Sequence, residues 1–281
     1  MRWIGRRQST NVEDRRGSTP KKVVGGGCGT IIIILIIWML GGNPLEFLSN
    51  TQVGEQSSVS SYQGTAQENE LAQFVSVVLG DTEDVWNLLF RQAGKRYREP
   101  KLVLFSNSVQ SACGYAGAAT GPFYCPGDEK VYIDLAFLQE MQRRFEAPGD
   151  FAVAYVIAHE VGHHVQNLLG ISDQVMAYRN RVSQKEFNQL MVRLELQADF
   201  LAGVWAHHAE RINKILEPGD IEEAMNAASA VGDDRIMKRT QGYVVPDAFT
   251  HGTSEQRMRW FVKGFKTGDM NQGDTFSAKS L

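Results

Sequence analysis

The chain has 281 residues, of which 43% are hydrophobic and 22% are charged, and its formal net charge is −3 at pH 7. This length is sufficient for one sizeable soluble domain with appendages. The slightly negative charge argues against nucleic acid as a partner, because nucleic-acid-binding domains are usually basic.

The N-terminus differs from the rest of the chain in charge. Residues 1–22 contain seven Lys or Arg and two acids, a net charge of +5, so the remainder has −8. The uncharged stretch VVGGGCGTIIIILIIWMLGG occupies residues 23–42, and about 20 apolar residues suffice for a helix to cross a bilayer. We therefore predict a basic cytoplasmic tail (1–22) and a transmembrane anchor (23–42). Since positive charge stays in the cytoplasm, residues 43–281 are expected outside it.

Two other interpretations of this stretch are open. A cleaved signal peptide would have a similar apolar core, although no clear small-x-small cleavage site comes after Leu40. Cys28 suggests a lipoprotein, but the apolar run comes after this cysteine instead of preceding it. An uncleaved anchor is favoured over both.

The chain beyond the anchor is predicted to form one mostly helical α+β domain with a small sheet. Residues 43–66 are rich in Ser, Gln and Gly, which is typical of a flexible linker. Residues 67–265 contain helical patterns, including two helices divided at Asp81 and Thr82, and the strand-like runs KLVLF and KVYID. Residues 266–281 are predicted to be a polar tail.

The stretch VIAHEVGHHVQNLLG predicts a zinc site on a helix. His159 and His163 are four residues apart, so both rings can reach one ion from the same helix face. Glu160 lies about 100° around the helix, where it can act as general base toward an activated water. This spacing is a known metallopeptidase signature. It also occurs by chance on surface helices, but the apolar flanks here indicate a buried helix.

A zinc site of the catalytic type needs a third protein ligand. The segment RLELQADFLAGVWAHH offers Glu195 and Asp199, again four residues apart. We predict Glu195 as the third ligand and Asp199 as the carboxylate that orients a ligand histidine. The alternative is two solvated acids, which the apolar neighbours disfavour.

These motifs are similar to those of gluzincin peptidases, in which a second helix contains Glu-x-x-x-Asp. More narrowly, the chain resembles the bacterial "putative neutral zinc metallopeptidase" family of single-pass membrane proteins. The matching stretches are ACGYAGAATGPFYCPGDEKVYID, HEVGHHVQNLLG, RLELQADFLAGVWAHH and HGTSEQRMRWF. The resemblance implies a zincin-like fold, peptidase activity, Zn²⁺ as cofactor, and the bacterial inner membrane as location. By the same resemblance, residues 130–134 would be the edge strand that pairs with substrate.

Cys113 and Cys125 enclose GYAGAATGPFY. Outside the cytoplasm, two cysteines at this spacing favour a disulfide. Additional metal ligands are the alternative, although neither a Cys-x-x-Cys pair nor a nearby histidine accompanies them.

The late segment THGTSEQR contains His251 and Arg257. It resembles a motif of related membrane gluzincins, which more often have His-Pro where this chain has His251 and Gly252. Either side chain could stabilise the oxyanion formed during peptide hydrolysis. A helix cap with a structural salt bridge is an equally good interpretation.

The pattern as a whole predicts a membrane-anchored zinc metallopeptidase that acts on peptides or proteins. An alternative is a non-catalytic envelope interaction module that zinc stabilises. The intact Glu160 favours the enzyme, because a structural zinc site has no use for a base. A cell-wall amidase is a third possibility, although such enzymes usually space their ligands differently.

Overall fold

The computed structural model describes residues 1–17, 64–117, 120–144 and 149–281. Its α-helices are α1 (Ala66–Gln92), α2 (Leu135–Arg144), α3 (Asp150–Leu168), α4 (Ile171–Met176), α5 (Gln184–Asn213), α6 (Asp220–Ala230), α7 (Asp233–Gln241) and α8 (Ser254–Thr267). Its strands are β1 (Val12–Asp14), β2 (Lys101–Phe105), β3 (Ser108–Ser111), β4 (Gly114–Gly117), β5 (Phe123–Cys125) and β6 (Lys130–Asp134). Two 3₁₀ turns lie at Pro246–Ala248 and Met270–Gly273. The predicted mostly helical α+β class is confirmed.

The main sheet has the strand order β1-β2-β6-β5, and β3 and β4 form a separate hairpin. Strands β1, β2 and β6 are parallel, and β5 runs antiparallel to β6. The predicted strands KLVLF and KVYID are confirmed as β2 and β6. The prediction that residues 130–134 form the edge strand is wrong, because β6 has a paired neighbour on both sides. The terminal strand next to it is β5, which contacts α3.

The long helices α3 and α5 form the centre of the hydrophobic core. They approach closely where Gly162 faces Ala198: a Cβ added to Gly162 would lie 3.0 Å from the Ala198 carbonyl oxygen. Further along α5, Gly203 packs instead on α8, since its Cβ would overlap the carbonyl oxygen of Phe261. Small residues therefore allow α5 to approach both α3 and α8 closely at the middle of the domain.

Helix α1 is continuous, so the predicted break at Asp81 and Thr82 is wrong. Tertiary partners explain the difference. The Thr82 hydroxyl donates to the Leu79 carbonyl at 2.7 Å, and the guanidinium of Arg6 pairs with the carboxylate of Asp81. Polar residues that would favour a turn in isolation are thus satisfied within the helix.

Residues 1–17, assigned to a basic tail from the sequence, pack on the domain. The Leu102 amide donates to the Asn11 carbonyl at 2.9 Å, which extends the sheet by β1. The predicted anchor at 23–42 and nearly all of the linker at 43–66 lie outside the described residues. Within the described ranges, none of the helices has the length and apolarity needed to span a membrane.

The C-terminal residues also pack on the domain. The Thr275 hydroxyl donates to the Arg193 carbonyl at 2.6 Å, and the Gln197 amide donates to the Gly273 carbonyl at 3.0 Å. Thr275 is fully buried. The predicted polar tail at 266–281 therefore covers part of α5.

The Cys113–Cys125 disulfide is present, with the two Cα atoms 5.8 Å apart. It joins the turn between β3 and β4 to the end of β5. Closing a loop of this size stabilises a domain by about 3 kcal/mol in the chain-entropy model. We expect the double variant Cys113→Ser/Cys125→Ser to lose about that free energy of unfolding in a urea titration, with Cys28→Ser as the control. An unchanged midpoint in the double variant would contradict this expectation.

Candidate metal centre

Helix α3 presents the first three predicted site residues. Its sequence is apolar on nearly every side, so the helix is buried and its histidines are held within the domain. The rings of His159 and His163 lie one turn apart, with centroids 4.8 Å from each other and planes at 87°. His159 is 6% exposed and Glu160 is 9% exposed. The helical spacing thus brings both rings together, as predicted.

Helix α5 brings Glu195 to the same point. Its Oε2 lies 3.2 Å from His159 Nε2, and its Oε1 lies 3.5 Å from His163 Nε2. One potential ligand atom from each of the three residues lies within 4.8 Å of the others. Two imidazole nitrogens and one carboxylate oxygen form a donor set that zinc accepts, with room for a fourth ligand. The residues present therefore fit a zinc ion.

Asp199 lies one turn further along α5 and orients His159. Its Oδ1 is 2.8 Å from His159 Nδ1, so the other ring nitrogen, Nε2, faces Glu195. The guanidinium of Arg257 donates two hydrogen bonds to Asp199, at 2.8 and 2.9 Å, and the Tyr155 hydroxyl donates a third. Of the two interpretations of Arg257, the structural salt bridge is the one that the structure contains.

Gln166 orients the second histidine in a corresponding way. Its Oε1 lies 2.9 Å from His163 Nδ1, and its amide nitrogen donates to the Leu194 carbonyl at 2.7 Å. The side chain is fully buried. Gln166 was not predicted from the sequence, although its position three residues after His163 on the same helix face was a usable signal.

The charges of this cluster are strongly coupled. Burial disfavours the charged form of His159, but the carboxylates of Asp199 and Glu195 outweigh it and raise the pKa of this ring to about 10. Burial likewise disfavours the Glu195 carboxylate, whereas His163 and His159 hold its pKa well below the usual range. The carboxylates of Asp199 and Glu195 therefore favour a positive charge at this point. Either protons on the two histidine rings or a bound cation can provide it.

His251 lies in the loop that precedes α8 and is held there by Asp233. Asp233 Oδ1 is 3.1 Å from His251 Nδ1, and Oδ2 accepts backbone N–H bonds from Thr250, His251 and Gly252 at 2.7, 2.7 and 3.1 Å. Burial disfavours the charged ring, but Asp233 and then Glu195 raise the pKa of His251. The next residue, Gly252, packs on α5 beside Glu195, because a Cβ added to it would lie 3.2 Å from Leu196 Cδ2.

Asp233 was likewise not predicted from the sequence. It is fully buried and forms the first residue of α7. The chain breaks between α6 and α7 at Val231 and Gly232, and this break directs the Asp233 carboxylate toward the loop before α8.

The other histidines and two tyrosines have structural contacts. His164 points away from the centre and lies between the Tyr124 hydroxyl (3.0 Å) and the Arg98 carbonyl (2.6 Å). Tyr132 stacks on Phe123 in a second hydrophobic cluster. His207 and His208 are partly buried, and their rings hydrogen-bond to the carbonyls of Phe265 and Gly268 at the end of α8.

Comparison with known proteins gives one family and several relatives. The family described as "Putative neutral zinc metallopeptidase" matches residues 1–276. "Uncharacterized protein YpfJ" of Escherichia coli (strain K12) is 49% identical over 286 residues, covering 98% of this chain and 99% of its own. "Uncharacterized protein Mb2605" of Mycobacterium bovis is 40% identical over 254 residues, covering 86% of this chain and 83% of its own. No solved structure matches the chain.

Proposed function

We propose that this chain, which belongs to the family described as "Putative neutral zinc metallopeptidase", hydrolyses peptide bonds with a zinc ion held by His159, His163 and Glu195. One observation supports this most directly: donor atoms of these three residues converge within 4.8 Å between two packed helices. The neighbouring Glu160 is a carboxylate of the kind that such a reaction needs. Substrates are peptides or proteins, as the family description implies.

Each role in the proposed reaction falls to a specific side chain. When bound, zinc supplies Lewis acidity toward a carbonyl and lowers the pKa of a water molecule. Glu160 takes the proton from the attacking water and passes it to the leaving amine. Asp199 and Gln166 hold the two histidines in the orientation that directs Nε2 to the ion.

Strand β5 is the proposed site of substrate pairing. It is the terminal strand of the sheet and contacts α3, the helix that bears the two histidines. An extended peptide could add to its outer edge through backbone hydrogen bonds. The disulfide at Cys125 fixes the end of this strand to the neighbouring hairpin. We therefore assign to Phe123–Cys125 the substrate-pairing role that the family resemblance implied for residues 130–134.

We also propose that the enzyme works outside the cytoplasm at the bacterial inner membrane. The uncharged stretch at 23–42 supports membrane attachment. The disulfide supports an oxidising compartment, because disulfides are rare in the cytosol.

The variant Glu160→Gln tests the enzymatic function. We expect it to bind zinc as the native chain does, about one ion per chain, and to hydrolyse a mixture of unfolded peptides about 10²- to 10⁴-fold more slowly. Zinc would be counted by elemental analysis and cleavage by the appearance of new peptide amines. Glu70→Gln, an exposed site on α1, is the matched control.

Two outcomes of this experiment would contradict the proposal. If the native chain contains no zinc, the cluster does not hold the ion. If the native chain binds zinc but cleaves the peptide mixture no faster than Glu160→Gln does, the non-catalytic, zinc-stabilised interaction module becomes the better explanation.

The His251–Asp233 pair allows a second prediction about the reaction. We propose that His251 donates a hydrogen bond to the developing oxyanion and that Asp233 positions it. Removing one such donor typically lowers kcat about 10²- to 10³-fold. We expect His251→Gln to show this loss with zinc retained, and Asp233→Asn to lower kcat less while shifting its pH profile. Asp234→Asn also affects the start of α7 but does not contact His251, so it is the control. Unchanged kcat in His251→Gln would remove this residue from the mechanism.

A further inference from the structure

The C-terminal segment, residues 269–278, is held against α5 by polar and close apolar contacts. The Arg193 guanidinium of α5 donates to the carbonyls of Phe276 and Ala278 at 3.3 and 3.2 Å. Gly273 is buried, and a Cβ added to it would lie 2.5 Å from Cε1 of the fully buried Phe200 ring. The absence of a side chain at Gly273 therefore lets the backbone of the segment lie directly on α5.

The backbone of this segment reaches the metal centre through two buried glutamines. The Gln197 amide nitrogen donates to the Gly273 carbonyl at 3.0 Å, and Gln197 Oε1 accepts from the Gln166 amide nitrogen at 3.0 Å. Gln166 Oε1 in turn lies 2.9 Å from His163 Nδ1. Gln166 is fully buried, and Gln197 is 8% exposed. These hydrogen bonds form a continuous amide relay from Gly273 through the two glutamines to His163.

The direction of every bond in the amide relay follows from its outer end. A backbone carbonyl can only accept, so Gln197 must turn its nitrogen to Gly273 and its oxygen to Gln166. Gln166 must then turn its own nitrogen to Gln197, and the Leu194 carbonyl, 2.7 Å away, requires the same orientation. The Gln166 oxygen therefore faces His163 Nδ1. In the neutral ring Nδ1 carries the proton, and Nε2 keeps the lone pair that a metal ligand needs.

The second histidine depends on such a relay because its partner is a neutral amide. His159 is oriented by the Asp199 carboxylate, whose two oxygens both accept, so rotation of that group leaves the ring tautomer unchanged. Rotation of the Gln166 amide by half a turn would instead put a nitrogen donor against His163 Nδ1. The ring proton would then belong on Nε2, which could no longer bind a metal. Bonds to the amide nitrogen prevent this rotation, so the groups that accept them act on the metal centre.

We infer that the C-terminal segment is a positioning element of the metal centre, and that Gln197 transmits its effect to His163 through the amide relay. This inference rests on the proposed function, since it gives a role to residues around a proposed zinc ligand. Residues 266–281, predicted from the sequence as a polar tail, thus contribute to the affinity for zinc. Substitution of partners that orient metal ligands typically weakens metal binding about 10- to 100-fold. Gln197 acts one step further from the ion, so we expect the lower end of this range.

Zinc affinities of the full chain test this inference. Gln197→Leu keeps roughly the size of the side chain but can neither donate to Gly273 nor accept from Gln166. We expect it to bind zinc about 10-fold more weakly than the native chain in competition with a chelating dye. The Co²⁺-loaded variant should also have a changed visible absorption spectrum, because this spectrum reports the geometry of the ligands. Asn188→Leu is the matched control, since it removes another buried amide of α5, one that donates to the Asp247 carbonyl at 3.0 Å.

The control and a second variant separate positioning from stability. We expect Asn188→Leu to lower the Tm but to keep the native zinc affinity and Co²⁺ spectrum. Gly273→Ala acts from the outer end of the relay, because the added Cβ would overlap the Phe200 ring and displace the carbonyl from Gln197. It should weaken zinc binding by a similar factor. The double variant Gln197→Leu/Gly273→Ala should bind zinc no more weakly than the weaker-binding single variant, because both changes break one relay.

The inference fails if Gln197→Leu folds and has the zinc affinity and Co²⁺ spectrum of the native chain. If Gln197→Leu does not fold, an unchanged zinc affinity in Gly273→Ala has the same consequence. Losses of affinity that multiply in the double variant would also overturn it, since two independent effects would then replace the shared relay. A native chain without zinc would overturn the proposed function and this inference together. Native zinc binding with unchanged variants would overturn this inference alone.

Discussion

Replacing Glu195 with alanine is expected to abolish tight zinc binding while the domain remains folded. The side chain provides the one carboxylate among the three converging donors, and its two oxygens lie 3.2 and 3.5 Å from the two histidine Nε2 atoms. Without this carboxylate, the protein would offer zinc two neutral imidazole ligands and no negative charge. We expect the affinity to fall by more than about 100-fold, since substitution of mere orienting partners already costs about 10- to 100-fold.

Competition with a chelating dye would measure this affinity, and circular dichroism would verify the fold. Gln189→Ala, an exposed site on the same helix, is the control for changes in helix propensity. Glu195→Gln keeps the shape of the side chain and removes its charge, so it should also bind zinc weakly. If Glu195→Ala binds zinc as tightly as the native chain, the ion is held elsewhere and the proposed centre is wrong.

The sequence contains enough information to predict which residues could converge as the three proposed metal ligands, because their spacing is local. His159 and His163 share a helix face by helical geometry alone, and so do Glu195 and Asp199. The requirement of zinc for a third ligand joined the two pairs in the prediction, and the structure adds that the small residues Gly162 and Ala198 let the two helices approach.

Features that depend on distant parts of the chain could not be predicted in the same way. The order of β5 and β6 in the sheet depends on pairings between residues that a pattern of alternating side chains does not specify. Asp233 and His251 are 18 residues apart and meet because α7 begins at one and the loop before α8 contains the other. The docking of residues 1–17 is the extreme case, because Arg6 and Asp81 are 75 residues apart.

Arg257→Leu is expected to destabilise the domain strongly, because it leaves a buried carboxylate without its cation. Asp199 is fully buried, and Arg257 is 4% exposed and donates two hydrogen bonds to it. Removing one partner of a buried ion pair typically costs about 3–5 kcal/mol of the free energy of unfolding. Arg259→Leu changes an exposed arginine on the same helix and is the matched control. Urea titration of both variants would measure the difference.

The pH dependence of this loss distinguishes an ion pair from simple packing. Burial raises the pKa of Asp199, but Arg257 and then His159 outweigh it and lower the pKa from 3.8 to about 2. A depressed carboxyl pKa contributes stability that is present above the unfolded-state value and is lost as the pH falls through the folded-state value. The destabilisation by Arg257→Leu should therefore be full at neutral pH and shrink between pH 3.8 and about 2. A loss of equal size at every pH would mean that the leucine disturbs packing alone. In that case Arg257 would have no electrostatic role in fixing Asp199, and through it His159, at the metal centre.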